Sequence, residues 1–310
     1  MRARTAVAFV ALGLVWGTTP LTIKAGLLAD WQPLWFCALR LLGAAVVLAP
    51  LLLTSYAGRP LGPAGWRVIW PVGVFGMAVN FGVTVWGQQF IGAALASLIA
   101  GTQPVTTALV VHLAQRRVPT RRFAAGLTLG MVGMVVVFRG AGVPGPSAAA
   151  GAAAVLAGVT IYGAVFVYIK ARLGGLNLLR VVAGQNLIGG ALVALAAVAF
   201  EGSVRLPGGT QAWSAYTYLT LVSSIVALLL ANWLIGRMGA ARFSVLSFVT
   251  PLVGVAAGVV LLDETLDGPT LVGAALVGTA LLATLGPEAE ALGPLPAGET
   301  ARPDGPQGGP

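Results

Sequence analysis

The chain is 310 residues long, and 57% of it is apolar while only 9% is charged, with a mean hydropathy of +0.91. A soluble globular protein devotes about a quarter of its residues to charge, so this composition excludes a soluble domain and predicts an integral membrane protein. With one cysteine and one histidine, the chain has neither a disulfide framework nor the usual metal ligands, and we expect no metal and no cofactor. The net charge of +9 does not indicate nucleic-acid binding, because the basic residues lie in short loops.

Ten apolar segments are long enough, at about 20 residues each, to cross a bilayer as helices. They run over residues 5–28, 33–55, 66–88, 91–114, 121–139, 148–170, 178–200, 213–236, 240–262 and 269–286. Their apolar runs are unbroken, whereas the strands of a β-barrel would alternate. The first segment lacks a small-residue cleavage site, so we expect a helix there and not a signal peptide. The predicted fold is an all-α integral membrane protein of ten transmembrane helices.

Lysine and arginine in the short loops predict the orientation of the chain. With the N-terminus in the cytoplasm, thirteen basic residues fall on the cytoplasmic side and two, Arg139 and Arg205, fall outside. An even number of helices returns the C-terminus to the cytoplasm, where residues 287–310 have the proline, glycine and acid content of a disordered tail. We therefore expect a multi-pass protein of the bacterial cytoplasmic membrane with both termini cytoplasmic.

The sequence repeats itself at an offset of about 146 residues. Matching positions include Ile23-Lys24-Ala25 with Ile169-Lys170-Ala171, Trp16 with Tyr162, Trp86 with Trp233, and Pro104 with Pro251. The predicted organisation is a five-helix repeat at 1–140, a linker at 141–147 and a second five-helix repeat at 148–286. Because five is odd, equivalent helices cross the membrane in opposite directions, which is the architecture of secondary transporters. A duplication that only builds a stable bundle is the alternative.

These features together resemble the EamA-type transporters of the drug/metabolite transporter superfamily. The resemblance lies in Leu14-Val-Trp-Gly-Thr-Thr, Lys24, Arg40, the proline-led fourth and ninth helices, and the Leu-Leu-Asp-Glu-Thr-Leu run with Gly273. It covers residues 5–286 and implies a cytoplasmic-membrane transporter, commonly an exporter of amino acids, metabolites or toxic compounds. It also implies a cavity lined by helices one to four and six to nine, with five and ten peripheral. The first half has Arg117 where the second has Glu264, so any role for a carboxylate attaches only to Glu264.

Arg40 is the deepest charge in the predicted spans, seven residues into the second helix and about 10 Å from its end at 1.5 Å per residue. A charge at the centre of a bilayer costs about 2.5–3.5 kcal/mol on insertion scales, so it needs a partner or a function. Two interpretations stay open. Arg40 either receives an anionic group of the substrate, or it pairs with Glu264, Asp30 or backbone carbonyls and locks the outer gate.

The other candidate binding residues are polar or aromatic side chains expected to face the bundle interior. The full set is Trp16, Lys24, Arg40, Asn80, Thr84, Trp86, Tyr162, Asn186, Asn232 and Trp233, with Arg40 and Glu264 as a gate or ion pair. Lys24 shares a helix face with Trp16 and Pro20, although it also lies close enough to the helix end to snorkel. Pro20 predicts a kink that frees carbonyls for a ligand. The aromatic residues are either cavity walls or interfacial anchors.

The sequence contains no Walker A loop, no HExxH or GxSxG pattern, and no pair of acids within a predicted span. We therefore expect no catalytic residue and no direct use of ATP. The predicted function is a monomeric secondary transporter that exports small metabolites, such as amino acids, across the lipid bilayer by alternating access. The absence of an acid deep in a span favours facilitated diffusion or exchange over proton coupling. The alternative is a non-transporting membrane protein: a receptor, a lipid scramblase or an intramembrane enzyme without a recognisable motif.

Overall fold

A computed structural model describes residues 3–54, 58, 60–115, 119–137, 145–250, 252–253 and 268–284 of the chain. Within these residues the regular secondary structure is entirely helical. Several predicted features lie outside them, namely Glu264 with its Leu-Leu-Asp-Glu run, the end of the ninth span, most of the linker, and the C-terminal tail.

The helices occupy the positions of the apolar segments, with small differences at their ends. They are α1 (Ala3–Leu28), α2 (Pro33–Leu48, then a 3₁₀ turn at Pro50–Leu53), α3 (Pro63–Gln88), α4 (Ala93–Ala100 and Gln103–Gln115), α5 (Arg121–Val137), α6 (Gly145–Arg172), α7 (Leu178–Glu201), α8 (Thr210–Met238), α9 (Ala240–Ser244, then a 3₁₀ turn at Val245–Phe248) and α10 (Gly268–Thr284). In the described part of the chain, seven of these helices, α1–α4 and α6–α8, are long and apolar enough to cross a membrane. The count of ten spans stays a prediction.

Local sequence explains several helix ends. Asn177 caps α7, because its Oδ1 accepts hydrogen bonds from the N–H groups of Leu179 at 3.0 Å and Arg180 at 3.4 Å. Gly239, at φ +81°, separates α8 from α9 in a conformation that side chains disfavour. α6 begins at Gly145, inside the predicted linker. α1 runs continuously through Pro20, whose missing N–H removes the usual donor to the carbonyl four residues earlier.

The N-terminus of α2 is capped from a distant part of the chain. The carboxylate of Glu201, the last residue of α7, accepts hydrogen bonds from the N–H groups of Leu34 at 2.8 Å and Trp35 at 3.1 Å. The first N–H groups of a helix lack intrahelical partners and carry partial positive charge, so a carboxylate stabilises them. This contact joins the ends of α2 and α7, which also pack against each other along their lengths.

Both halves of the chain contain a π-helical stretch at equivalent positions. In α3 the stretch is Val72–Val79, and in α8 it is Tyr218–Val226. The same offset of about 146 residues relates these stretches and the sequence repeats. Because π-helix accounts for well under 1% of residues in globular proteins, its occurrence at both positions is a structural counterpart of the sequence repeat.

The helices of the two halves are interleaved. α1 packs against α8 and α9, while α6 packs against α3 and α4. The pairing of α3 with α6 is antiparallel: Gly87 lies against Gly151, whereas Gly76, earlier in α3, lies against Val165, later in α6. The first helix of each repeat therefore packs mainly with the other repeat. This gives two groups of helices, one containing α1, α8 and α9 and the other containing α3, α4 and α6.

α5 and α10 form a pair of their own. Gly133 lies against Gly273, and Gly126 lies against Thr284, so the two backbones approach closely. A buried cluster that includes Phe123, Met134, Phe248 and Val277 joins this pair to α9.

Candidate functional site

A cavity of about 140 Å³ lies between α1, α2, α3, α4, α6, α8 and α9. Its lining residues are Trp16, Thr19, Pro20, Ile23, Arg40, Asn80, Phe81, Thr84, Val85, Gln88, Ala96, Ala100, Gln103, Val155, Val159, Tyr162, Ser223, Ser247 and Thr250. None of the described residues of α5 and α10 is among them, in agreement with the resemblance. α7 supplies none either, contrary to the expectation for the seventh helix, because α7 packs against α2 and against the π-helical stretch of α3.

Arg40 is the charged group of this cavity. Its side chain is only 2% exposed, and its guanidinium carbon lies 4.7 Å from the centre of the Phe81 ring. The Nε and Nη1 donors of the guanidinium have no hydrogen-bond partner among the described residues. Asp30 does not pair with Arg40 in the described structure, and Glu264, the other candidate partner, lies outside it. The ring of Phe81 offers a cation–π contact but accepts no strong hydrogen bond, so the two donors stay available to a ligand.

An aromatic cluster forms the wall beside Arg40. Tyr162 lies 5.8 Å from Phe81 and 4.5 Å from Phe166, measured between ring centres. Trp16 stacks on Phe166 at 6.2 Å, with 7° between the ring planes, and meets Phe243 edge-on at 5.6 Å. Offset and edge-to-face pairs of this kind fix the rings against one another. The cavity therefore combines one buried cation with a rigid apolar wall.

The polar lining residues of α3 and α4 differ in whether they already have partners. Asn80 donates from Nδ2 to the carbonyl of Gly76 at 3.2 Å, and Gln103 donates from Nε2 to the carbonyl of Val159 at 3.0 Å. Thr84 Oγ1 and Gln88 Oε1 are buried and have no partner among the described residues. A buried polar group without a partner is unfavourable unless water or a ligand completes it. Thr84 and Gln88 are therefore candidate contacts for a ligand's hydrogen-bond donors.

The cavity lies where α4 and α9 depart from regular helix. α4 is interrupted at 101–102, between the lining residues Ala100 and Gln103, and α9 passes through a 3₁₀ turn that includes Ser247. Ala100 and Ser247, like Gln103 and Thr250, are related by the repeat offset of 147 residues. Irregular backbone at membrane depth is tolerated where it is buried in protein or lines a cavity, and broken helices line substrate sites in secondary transporters.

The structure brings together five of the ten candidate binding residues: Trp16, Arg40, Asn80, Thr84 and Tyr162 all line the cavity. The other five lie elsewhere. Lys24 donates to the carbonyls of Gln88 and Gln89 at the end of α3, at 3.2 and 3.4 Å. The sequence had left open whether this side chain faced the cavity or extended to the lipid headgroups. Trp86 is 38% exposed and packs against Phe90 outside the cavity.

The three remaining candidates, all in the second half, contact neighbouring residues of the protein. Asn186 donates from Nδ2 to the carbonyls of Val182 and Ser224, and Asn232 donates to that of Leu228. The ring of Trp233 lies 4.1 Å from the guanidinium carbon of Arg237. Of these contacts, only the bond from Asn186 to Ser224 joins two helices, while those of Asn232 and Trp233 are with residues one turn away in α8. The Oδ1 atoms of Asn186 and Asn232 are buried and have no partner among the described residues, but neither residue lines the cavity.

Several lining residues were absent from the set chosen from sequence. Gln103 lies among Thr102, Thr106 and Thr107, and Ser247 and Thr250 follow Ser244, so residue type alone does not single out the members of these clusters that face a cavity. A usable signal was present, because polar residues at Gln103 and Thr250 occupy equivalent positions just beside Pro104 and Pro251 in the two repeats.

Interleaved apolar helices around a polar cavity define a multi-pass membrane protein of the transporter type. The EamA-like transporter family model matches the chain twice, at residues 4–139 and 149–286, which together include nearly all of the predicted spans. The chain therefore belongs to the EamA-like transporter family of the drug/metabolite transporter superfamily, and the two matches support the duplication inferred from sequence.

Individual relatives agree with this assignment. The chain is 28% identical over 274 residues to the uncharacterized inner membrane transporter YedA of Escherichia coli K12, covering 84% of this chain and 83% of the relative. It is 26% identical over 263 residues to protein PecM of Dickeya dadantii, covering 83% and 84% of the two chains. A crystal structure with 23% sequence identity superposes with a TM-score of 0.71 over 92% of this chain and 97% of the other, which shows the shared fold.

Proposed function

We propose that this protein is a secondary transporter that exports small metabolites, such as amino acids or related compounds, across the cytoplasmic membrane by alternating access. The observation that carries the proposal is Arg40: a guanidinium 2% exposed, with two donors unpartnered among the described residues, in a cavity that contains no described carboxylate. A buried charge that only stabilised the bundle would be paired, since an unpaired charge in a low-dielectric interior is strongly unfavourable.

The lining favours a substrate with two different ends. An anionic group would satisfy the two free donors of Arg40, and a hydrogen-bond donor such as an ammonium group would satisfy Thr84 Oγ1 and Gln88 Oε1. The rings of Trp16 and Tyr162 offer an apolar wall for the part between or beside these groups. These are the chemical features of a zwitterionic amino acid.

Cavity size limits the substrate. About 140 Å³ is close to the volume of about 150 Å³ that accommodates benzene in an engineered protein cavity. The conformation described here therefore suits a small solute, and a larger one would require the helix groups to separate. Export is the direction that the family resemblance implies.

Opposite orientation of the two repeats is part of the proposal. Antiparallel packing of α3 with α6 supports it, as do the repeat-related π-helical stretches. We further propose ten spans with both termini in the cytoplasm, which the charge bias of the loops favours. The inverted pair is complete within one chain, so we propose a monomer that needs no nucleic acid, metal or cofactor.

Flux of labelled solutes in proteoliposomes tests the proposal. Purified protein is reconstituted, and uptake into vesicles preloaded with unlabelled solute is measured for an amino acid panel, with protein-free vesicles as the blank. We expect saturable counterflow for a subset of the panel, lost in Arg40→Leu and kept in Arg172→Met, whose exposed side chain lies at the end of α6. Folded protein that moves no solute in the panel would favour the receptor, scramblase or enzyme alternative.

A further inference from the structure

Two lysines make equivalent hydrogen bonds in the two halves of the chain. Lys24, near the end of α1, donates from Nζ to the carbonyls of Gln88 and Gln89 at the end of α3, at 3.2 and 3.4 Å. Lys170, near the end of α6, donates from Nζ to the carbonyl of Gly236 near the end of α8, at 2.6 Å. These are the only two lysines in the sequence.

The repeat relates both the donors and the acceptors. Lys24 and Lys170 are 146 residues apart, and Gln89 and Gly236 are 147 residues apart. The same interaction is therefore present twice, from the first helix of each repeat to the end of the third. Carbonyls at the end of a helix lack intrahelical donors and carry partial negative charge, so an ammonium group there makes a charge-assisted bond.

The two lysine contacts lie at opposite ends of the bundle. Gly87, next to the acceptors of Lys24, lies against Gly151 near the beginning of α6, whereas Lys170 lies near its end. The nineteen residues from Gly151 to Lys170 span about 28 Å at 1.5 Å per residue. This is close to the thickness of the hydrocarbon core of a bilayer, about 30 Å.

Each contact also joins the two groups of helices that enclose the cavity. α1 packs with α8 and α9, and Lys24 connects it to α3 of the other group. α6 packs with α3 and α4, and Lys170 connects it to α8. The cavity is lined by both groups. Rocking of one group against the other must therefore break a lysine contact at whichever end opens.

We propose that Lys24 and Lys170 are paired gate latches, each holding one end of the cavity closed and released in alternation during transport. This inference rests on the alternating access of the proposed function and assigns residues to its two gates. Neither lysine forms an ion pair with an acid of the described chain, so main-chain carbonyls alone hold each latch there. A main-chain carbonyl is present whichever side chain the residue carries. The same kind of bond can therefore form at Gln88-Gln89 and at Gly236, although their side chains differ.

The test reads access to the cavity from each side. Ser223, a lining residue, is replaced by cysteine in a Cys37→Ala background, and membrane-impermeant thiol reagent is applied to either face of sealed vesicles. We expect Lys24→Met and Lys170→Met each to raise labelling from one face only, and the two variants to act on opposite faces. The expected increase is about tenfold, which corresponds to about 1.4 kcal/mol in the opening equilibrium.

Matched controls separate the latch from a general effect of basic residues. Arg205→Met and Arg172→Met remove exposed cations from the connection after α7 and from the end of α6, and both should leave labelling unchanged. Lys24→Arg and Lys170→Arg, which keep charge and donors, should remain close to the parent protein. Equal labelling from both faces in a lysine variant, or no increase in either variant, overturns the proposal.

A second measurement needs no lysine substitution and therefore remains decisive if a variant does not fold. Amine-reactive, membrane-impermeant reagent is applied to each face, and modification of the two lysines is quantified by mass spectrometry. Modification of each lysine from its own face, much slower than that of the same lysine in denatured protein, supports engaged latches, and modification as fast as in denatured protein overturns them. Flux is measured in parallel. If the parent protein transports solute but the lysine variants show unchanged labelling, the latch proposal is wrong and the transport function stands. If labelling rises from one face but no flux is measured, the transport function is wrong and the latch proposal stands.

Discussion

Replacing Arg40 with leucine tests whether its charge recognises an anionic substrate. The guanidinium is 2% exposed and its Nε and Nη1 have no partner among the described residues, so a bound carboxylate would meet unshielded donors. Two unit charges 4 Å apart interact by about 4 kcal/mol at an effective dielectric constant of about 20. Desolvation of the carboxylate opposes this, and hydrogen bonds to charged groups have a net value of about 1.5–3 kcal/mol. We therefore expect Arg40→Leu to weaken binding of an acid by about 2–3 kcal/mol, or about 30- to 150-fold.

The assay compares an amino acid with its amide, which has the same shape without the negative charge. Half-saturating concentrations for counterflow are measured in proteoliposomes for parent and variant. We expect the parent to prefer the acid, and Arg40→Leu to lose that preference while changing the amide by less than about threefold. Equal loss of both solutes in a folded variant would refute anion recognition. If Glu264→Leu then reproduced that loss, Arg40 would be part of a gate.

Three further predictions concern topology, coupling and stability. Cysteine at Thr120 in a Cys37→Ala background should react with impermeant reagent only from the cytoplasmic face, and labelling from outside intact cells would overturn the predicted orientation. Glu264→Gln should leave transport intact, because no acid is predicted deep in a span; a proton gradient that drives uphill transport in the parent but not in this variant would contradict that reasoning. Glu201→Ala should lower the free energy of unfolding of the purified protein by about 1–3 kcal/mol, and with it the melting temperature, because it removes the acceptor of two α2 N–H groups at 2.8 and 3.1 Å. Glu201→Gln, which keeps one acceptor oxygen, should lose less, and identical melting of all three proteins would show that the contact contributes nothing.

Much of the fold could be predicted from sequence, because a bilayer imposes simple constraints on an apolar chain. Segment length and hydropathy located the helices to within a few residues, as for α7, predicted at 178–200 and found at Leu178–Glu201. The duplication was also readable, because equivalent positions kept their residue types. The π-helical stretches could not be foreseen from composition, since they depend on how α3 and α8 pack against their neighbours.

The candidate site was harder to predict, because polar character alone does not show which way a residue faces. Arg40, Asn80 and Thr84 line the cavity, and depth or stripe spacing had selected them. Asn186 was selected as a polar residue at a repeat-related position in the second half, but its helix packs against α2, and its Nδ2 donates to carbonyls of the protein. Whether a polar group in a membrane helix meets a ligand or another helix depends on the rotation of that helix in the bundle, which requires the tertiary contacts.

An unpaired guanidinium also bears on how the proposed transporter would move between its two access states. In the described structure, Arg40 has only the face of Phe81 as a close electrostatic partner. If the cavity closes without an anion, the guanidinium is removed from water and gains no compensating ion pair. If the cavity closes around a carboxylate, the guanidinium is paired. The closed state is therefore more favourable with substrate bound than without it, and a ligand shifts an equilibrium only by such a difference in affinity. A loaded protein would change access more readily than an empty one, which is the behaviour of an exchanger. In this scheme the substrate's own charge provides the coupling, and no titrating carboxylate within the membrane is required.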